Sequence, residues 1–247
     1  MPTHVAPTER RTGRLPSLPS GVVRVDLPEP RSVGFHHLVV DALVGGSDDG
    51  TDDGPVHWID ARNNASTYVL ADLAPHDRVL ARVRVARAFT AHQHYALVTG
   101  LPGRVTPATD LLVLPCLGSL YADDDLRAGE DDLLLSGAMD VLVAIARRYD
   151  CTVLCSTGAV PAAIADPIAA AADATVRCRE TREGFRYVAA DFETEVYAGP
   201  GYRQTTLPYW VRALGALAAA ESPADAAPET TAAGPAPAGV PLSALEG

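Results

Sequence analysis

Hydrophobic and polar positions follow two periods along this chain, and each change of period marks an element. GVVRVD (21–26) reads as a first strand. GFHHLVVDALV (34–44) then takes a helical period, with Phe35, Leu38, Val39, Ala42 and Leu43 on one face. GGSDDGTDDG (45–54) is a loop of turn-forming and acidic residues, and PVHWIDA (55–61) is a second strand. A short helix is predicted within 63–73. A longer one is predicted over 75–97, with Val79, Leu80, Val83, Ala86 and Phe89 as its apolar face. DLLVL (110–114) is a continuous apolar strand, as in a sheet covered on both faces. Residues 133–149 read as an apolar helix, ending in Arg147 and Arg148, which suit its C-terminal dipole. TVLCS (152–156) is another buried strand, and 161–172 an alanine-rich helix. ATVRCRE (174–180) and GFRYVAA (184–190) alternate with period two around Thr181–Glu183, as an antiparallel hairpin does. Residues 207–219 form a last amphipathic segment.

The order β-α-β-α-β-α-β, then a hairpin, predicts an α/β fold. Its mostly parallel sheet is flanked by helices on both faces and carries an antiparallel edge. The proline- and arginine-rich residues 1–16 read as a flexible segment and 17–219 as one core domain. Residues 220–247, rich in Pro, Ala and Glu, read as a disordered tail. With 247 residues, 47% of them hydrophobic, the chain can bury a large core. No apolar run approaches the roughly 18 residues of a membrane helix. The first residues lack the apolar stretch of a signal peptide. A cytoplasmic protein with no membrane partner is expected.

Charge adds a constraint on chemistry. The formal net charge is −11, and all 20 basic residues are arginine. Aspartates cluster at Asp48, Asp49, Asp52 and Asp53 and again at Asp123, Asp124 and Asp125. This acidic, lysine-free, alanine-rich composition resembles that of salt-adapted, haloarchaeal proteins. Adaptation of the whole surface to salt explains the acidity better than repulsion of nucleic acid does. The lack of lysine removes Schiff-base chemistry, Ser-Lys dyads and the lysine of a phosphate loop together. The four cysteines, Cys116, Cys151, Cys155 and Cys178, form no C-x-x-C pair. Cys151 and Cys155 would lie roughly 13 Å apart on a strand, too far for a disulfide. They read as buried thiols.

Four motifs, in order, carry a family resemblance. WIDARNNAS followed by VARAFTAHQHY resembles the strand and "ARAF…HQ" segment of archaeal RadA recombinases and their relatives. DLLVLPCLGSLY resembles the Walker B strand, CTVLCSTGAV the later strand of that core, and ATVRCRETREGFRYVAA the hairpin that follows. The chain thus resembles the RecA/RadA recombinase superfamily over about residues 17–196. The resemblance implies a RecA-like, P-loop-NTPase-type core, with DNA recombination and repair as its context.

The ATPase positions that the resemblance implies are altered. LPEPRSVGF stands where the phosphate loop belongs. Pro28 and Pro30 lack N–H donors there, Arg31 and Ser32 are its remaining charge and hydroxyl, and Gly34 and Phe35 stand where Lys-Thr belongs. Pro115 occupies the Walker B aspartate position, Arg62 the glutamate position and Gly158 the glutamine position; Asp60 keeps the strand-end aspartate. Phosphoryl transfer depends on positioning and on charge supplied by lysine and metal, so a pseudo-ATPase without a cofactor is expected. The resemblance also implies a partner groove, which here would comprise Trp58, Arg84, Ala86 and Ala88, with Arg84 where the family prefers a small residue.

Other constellations are weaker. His92 and His94 lack third and fourth metal ligands nearby, and no metal site is expected. His36 and His37 open the first helix and suggest either anion contact or surface polarity. Arg177, Arg179, Arg182 and Arg186 gather on the hairpin, as a basic patch for phosphate or acidic protein, or as a solvated edge. Ser119 and Ser156 have no His-Asp partner in sequence, and G-x-S-x-G is absent. The reading is a non-catalytic accessory or scaffold protein that binds a protein partner, such as a recombinase or other RecA-fold protein. Two readings stand beside it: an enzyme with a non-standard site, and a nucleotide- or single-stranded-DNA-binding protein.

Overall fold

A computed structural model of the chain describes residues 15, 18–45, 54–75, 77–190, 193–199 and 202–205. All lie in the first of two units into which the chain divides, Met1–Tyr209. The acidic loop residues 46–53, the segment 207–219 and the tail 220–247 lie outside the described residues.

The elements run β1 (Gly21–Asp26), α1 (Val33–Gly45), β2 (Val56–Ala61), α2 (Thr67–Leu73), α3 (Asp77–Leu80), β3 (Val83–Ala88) and α4 (Ala91–Thr99). A 3₁₀ turn, Leu101–Gly103, leads to β4 (Leu111–Leu114), α5 (Glu130–Tyr149), β5 (Thr152–Cys155) and α6 (Ala162–Ala170). Four further strands follow: β6 (Ala174–Thr181), β7 (Gly184–Val188), β8 (Glu193–Gly199) and β9 (Tyr202–Thr205). They build one sheet in the order β3-β2-β4-β5-β1-β6-β7-β8-β9. The strands from β3 to β6 are parallel, and β7, β8 and β9 are added antiparallel. The mostly parallel sheet with an antiparallel edge is as expected from the pattern; β8 and β9 extend it beyond the predicted hairpin.

Alternate residues of the parallel strands feed two cores. Val22, Ile59, Leu112, Leu114, Val153 and Cys155 pack with α4, α5 and α6. Val23, Val25, Trp58, Val113, Leu154 and Val176 pack with α1 and α2. Both faces are therefore covered, which is why LLVL reads as an unbroken apolar run. Helix α5 carries Glu130, Asp131 and Asp132 in its first turn and Arg147 and Arg148 in its last, matching its dipole at both ends.

One element differs from expectation. The predicted helix over 75–97 is α3, then strand β3, then α4. VRVARA places β-branched Val83 and Val85 at strand spacing, and all six residues pair with β2, from Val56↔Val83 to Ala61↔Ala88. A reciprocal cap fixes the restart of the helix: the Gln93 amide N–H donates to Thr90 Oγ1 at 3.2 Å, and the Phe89 N–H donates to Gln93 Oε1 at 2.9 Å. The capping signature Thr-x-x-Gln is legible in TAHQ. Phe89, expected on an apolar face, is 71% exposed. Helix α2 lies within the predicted 63–73, starting at Thr67 behind the Ser66 cap.

Strand order sets up a site. β1 lies between β5 and β6; its helix α1 packs on one face, whereas α6, following β5, packs on the other. The loops leaving β1 and β5 diverge, and a crevice at the carboxyl ends of such strands is where open α/β sheets bind ligands.

His94 of α4 ties that helix to the segment after β4. Its Nδ1 lies 2.8 Å from the Tyr121 hydroxyl, and the two rings meet edge-on. Burial holds its pKa down to about 4, from an ordinary 6.5. On acidification the unfolded chain therefore takes up this proton first, so stability declines as pH falls from 6.5 to about 4 and levels off below. Buried His36 and His57, also lowered by desolvation, act in the same direction. At about 1.4 kcal/mol per pH unit, the His94 share is on the order of 3 kcal/mol. Urea titrations across this range should give a shallower pH slope for His94→Gln than for the parent; equal slopes would refute the assignment.

Candidate functional site

The turn between β1 and α1 is closed on itself. The Ser32 N–H donates to Glu29 O at 3.0 Å, the Phe35 N–H to Ser32 O at 3.1 Å and the Gly34 N–H to Ser32 Oγ at 3.2 Å. Two of the donors that a helix N-terminus would offer an anion, those of Gly34 and Phe35, thus go to Ser32, and Pro28 and Pro30 contribute none. Gly34 is required for packing: a Cβ there would lie 2.5 Å from Cys178 Sγ and 3.1 Å from Phe185. Its carbonyl accepts the Tyr187 hydroxyl at 2.9 Å. Phe35 is buried in the core, edge-on to Trp58.

His36 and His37 are buried, so neither expectation for them, anion contact or surface polarity, describes them. His36 Nε2 lies 2.9 Å from Asn64 O, its ring rests on Trp58, and desolvation lowers its pKa. His37 packs against Phe185.

Asp60, at the end of β2, is fully buried. Its Oδ1 accepts the N–H groups of Asn64 at 2.8 Å and Ala65 at 3.1 Å, and its Oδ2 faces Arg87 Nε at 3.2 Å. Between these anchors Arg62 and Asn63 take left-handed backbone, φ 61° and 56°. This turn presents the Arg62 carbonyl to Arg31 Nη2 at 2.8 Å. It also sends the Arg62 guanidinium to Ser119 O at 2.8 Å and to the Asp123 carboxylate. Three loops at the carboxyl end of the sheet are therefore bolted together by two arginines.

After β4, Pro115 leads to Cys116, whose φ is 51°. The Cys116 N–H donates to Ser156 Oγ at 2.9 Å, and its thiol reaches Pro30 O at 3.3 Å. Desolvation raises the thiol pKa, so Cys116 is a neutral tether between β4, β5 and the proline turn. Gly158, at φ 87°, lies close enough that a Cβ would contact Cys116 and Ser119. A cleft of about 230 Å³ opens beside these groups, lined by Asp26, Pro28, Pro30, Ser156, Thr157 and Gly158 among others. Its acidic side chain, Asp26, is already paired with Arg24 at 3.1 Å. Magnesium-ATP does not fit this arrangement: no lysine exists, Arg31 is turned to a backbone carbonyl, and the Gly34 and Phe35 N–H groups are held by Ser32.

The structure divides the predicted partner groove. Arg84 and Ala86 line a groove with His57, Ile59, Val85, Leu101, Gly103 and Arg104. Trp58 does not belong to it, because strand alternation turns Trp58 into the opposite core, under α1. Ala88 is buried with Ala61 in the α4–α6 core, beyond the groove lining. The "ARAF" residues stand on a strand, not on a helix.

On the hairpin, Arg179 pairs directly opposite Arg186, and Arg177 is in register with Asp26 of β1. All four arginines are exposed; Arg182 lies in the turn, and Arg186 meets Glu193 at 3.3 Å. Arg177 and Arg179 have no ion pair among the described residues. His92 is separated from His94 by the helix and lies 3.1 Å from Glu130. Among the described residues no three His, Cys, Asp or Glu side chains gather as a metal site, and no helix is long and apolar enough to cross a membrane.

The chain matches no family model and no curated protein. The interloop arginine lock, the His57 and Arg104 contributions to the groove and the Cys116 tether were not anticipated from sequence. The Asn-Asn-containing turn after β2 and the lone Arg at its head were the visible signals.

Asp60→Ala should cost about 3 kcal/mol, because two buried N–H groups lose their acceptor and Arg87 its counter-charge. Asp60→Asn, which keeps an acceptor oxygen, should cost less. Denaturant midpoints test this; equal losses for both variants would mean that hydrogen bonding to the turn is not what Asp60 supplies.

Proposed function

We propose that this chain is a RecA-like, non-catalytic accessory or scaffold protein that acts by binding a protein partner, in the setting of DNA recombination or repair. One observation carries the non-catalytic part: the turn at the phosphate position folds three of its N–H groups, those of Ser32, Gly34 and Phe35, onto its own oxygens and is bolted by Arg31 and Arg62 to the neighbouring loops. An entering phosphate would have to break these contacts and would find no lysine. The motif order of the sequence and the central place of β1 in a mostly parallel sheet support the RecA-like reading. The recombination setting rests on the motif resemblance.

A second reading, binding of single-stranded DNA, is favoured by the exposed Arg177 and Arg179. Like charges placed across a strand pair, as Arg179 and Arg186 are, repel, and a bound phosphate would relieve that repulsion. Oligonucleotide affinity that is unchanged in Arg177→Ala/Arg179→Ala would dispose of this reading.

Purified protein should neither hydrolyse ATP nor take up magnesium-ATP in titration calorimetry. Turnover that disappears in Arg31→Ala would overturn the non-catalytic assignment.

A further inference from the structure

The groove at the sheet edge combines apolar residues with two arginines. It encloses about 410 Å³ between β3 and the 3₁₀ turn after α4. Its floor is apolar, made by Ile59, Ala86 and Leu101. Arg84 and Arg104 lie along it, both exposed, and neither has an ion pair or side-chain hydrogen bond among the described residues. Acidic residues outnumber basic ones in this chain, 31 to 20, yet two arginines here have no described carboxylate beside them.

Both guanidiniums bear on the same point. His57, in register with Arg84 across the β2–β3 pair, is 5% exposed beside the groove. Its pKa is lowered first by desolvation, then by the charges of Arg84 and Arg104. Among the described residues its Nε2 has no hydrogen-bond partner. The groove is thus a local region of positive potential over an apolar floor. A guanidinium matches a carboxylate with paired N–H donors, and such charge-assisted bonds are the strong ones.

We propose that this groove binds an acidic segment of a partner protein, which seats an apolar side chain on Ile59, Ala86 and Leu101 and a carboxylate against Arg84 and Arg104. The proposal deepens the partner-binding reading above and rests on it. A protein segment suits the groove better than nucleic acid does, because the one aromatic ring in its lining, that of His57, is buried and offers no face on which a base would stack. Charge complementarity also sets its specificity: a neutral apolar segment leaves both arginines unmatched, and a basic one is repelled.

Fluorescence anisotropy with the full chain tests this. The probes are labelled peptides in which Leu, Ile, Met or Phe is flanked by aspartates, and matching peptides with asparagine in place of aspartate. At low ionic strength at least one aspartate peptide should bind, and its asparagine counterpart should bind about tenfold more weakly. Arg84→Ala and Arg104→Ala should each weaken the aspartate peptide by a similar factor. Ala86→Leu, which fills the floor, should weaken it as well. Circular dichroism melts check that each variant is folded. Equal binding of aspartate and asparagine peptides overturns the proposal, and so does failure of every aspartate peptide to bind folded protein. Binding of an oligothymidine that is lost in the same arginine variants would replace the protein partner with nucleic acid. ATP turnover by the same preparation would sink the non-catalytic reading and leave the peptide result standing.

Discussion

The buried carboxylate of Asp60 organises the carboxyl end of this sheet. Fully removed from water, it must be matched by donors, and it takes two backbone N–H groups and the Arg87 guanidinium. Holding Asn64 and Ala65 pins the turn that precedes them. That turn can close only if Arg62 and Asn63 accept left-handed backbone, an unfavourable conformation for Arg. The cost is offset by what the turn then presents: a carbonyl to Arg31, and a guanidinium to Ser119 and Asp123. Remove Asp60, and the neighbouring loops lose their common reference.

The same logic extends to the proline turn and to Cys116. A proline has no N–H to satisfy, so Pro28 and Pro30 lower the number of donors needing partners in a crowded place. Three of the donors that remain, those of Ser32, Gly34 and Phe35, find oxygens within four residues. Cys116 uses its N–H on Ser156 and its thiol on Pro30, joining three strand ends without an ionised group.

Much of the fold was legible because burial on two faces leaves an unmistakable record. Val22/Val23, Leu112/Val113 and Val153/Leu154 are adjacent apolar pairs that point to opposite cores, and they could only be strands under helices on both sides. The segment around 83–88 was misleading because Val83 and Ala86 also fit a helical face, and the pairing partner β2 that decides the matter is distant in sequence. Trp58 was misassigned for a related reason. Its place on β2 was clear, but which core it faces follows from the register of the whole sheet. The departures from the phosphate-loop pattern that the resemblance implies were readable one by one from Pro28, Gly34 and Pro115. That Arg31 and Arg62 would lock the loops together was not, since both contacts run through backbone carbonyls that carry no residue signature.

A site that spends its donors internally cannot easily be switched by a ligand. An anion gains at a helix N-terminus because unsatisfied N–H groups wait for it; here Ser32 has already answered two of them, those of Gly34 and Phe35. Any population shift toward an open loop would need a ligand to repay the Arg31 and Arg62 contacts, with no lysine to attract it. On the proposed reading, selection on such a protein acts on fixed surfaces, and the edge of the sheet is where fixed charge is poised over an apolar floor. Arg84 illustrates the difference. A large cation at the margin of an apolar groove weakens it as a socket for a neutral side chain, yet the same cation supplies what an acidic segment requires.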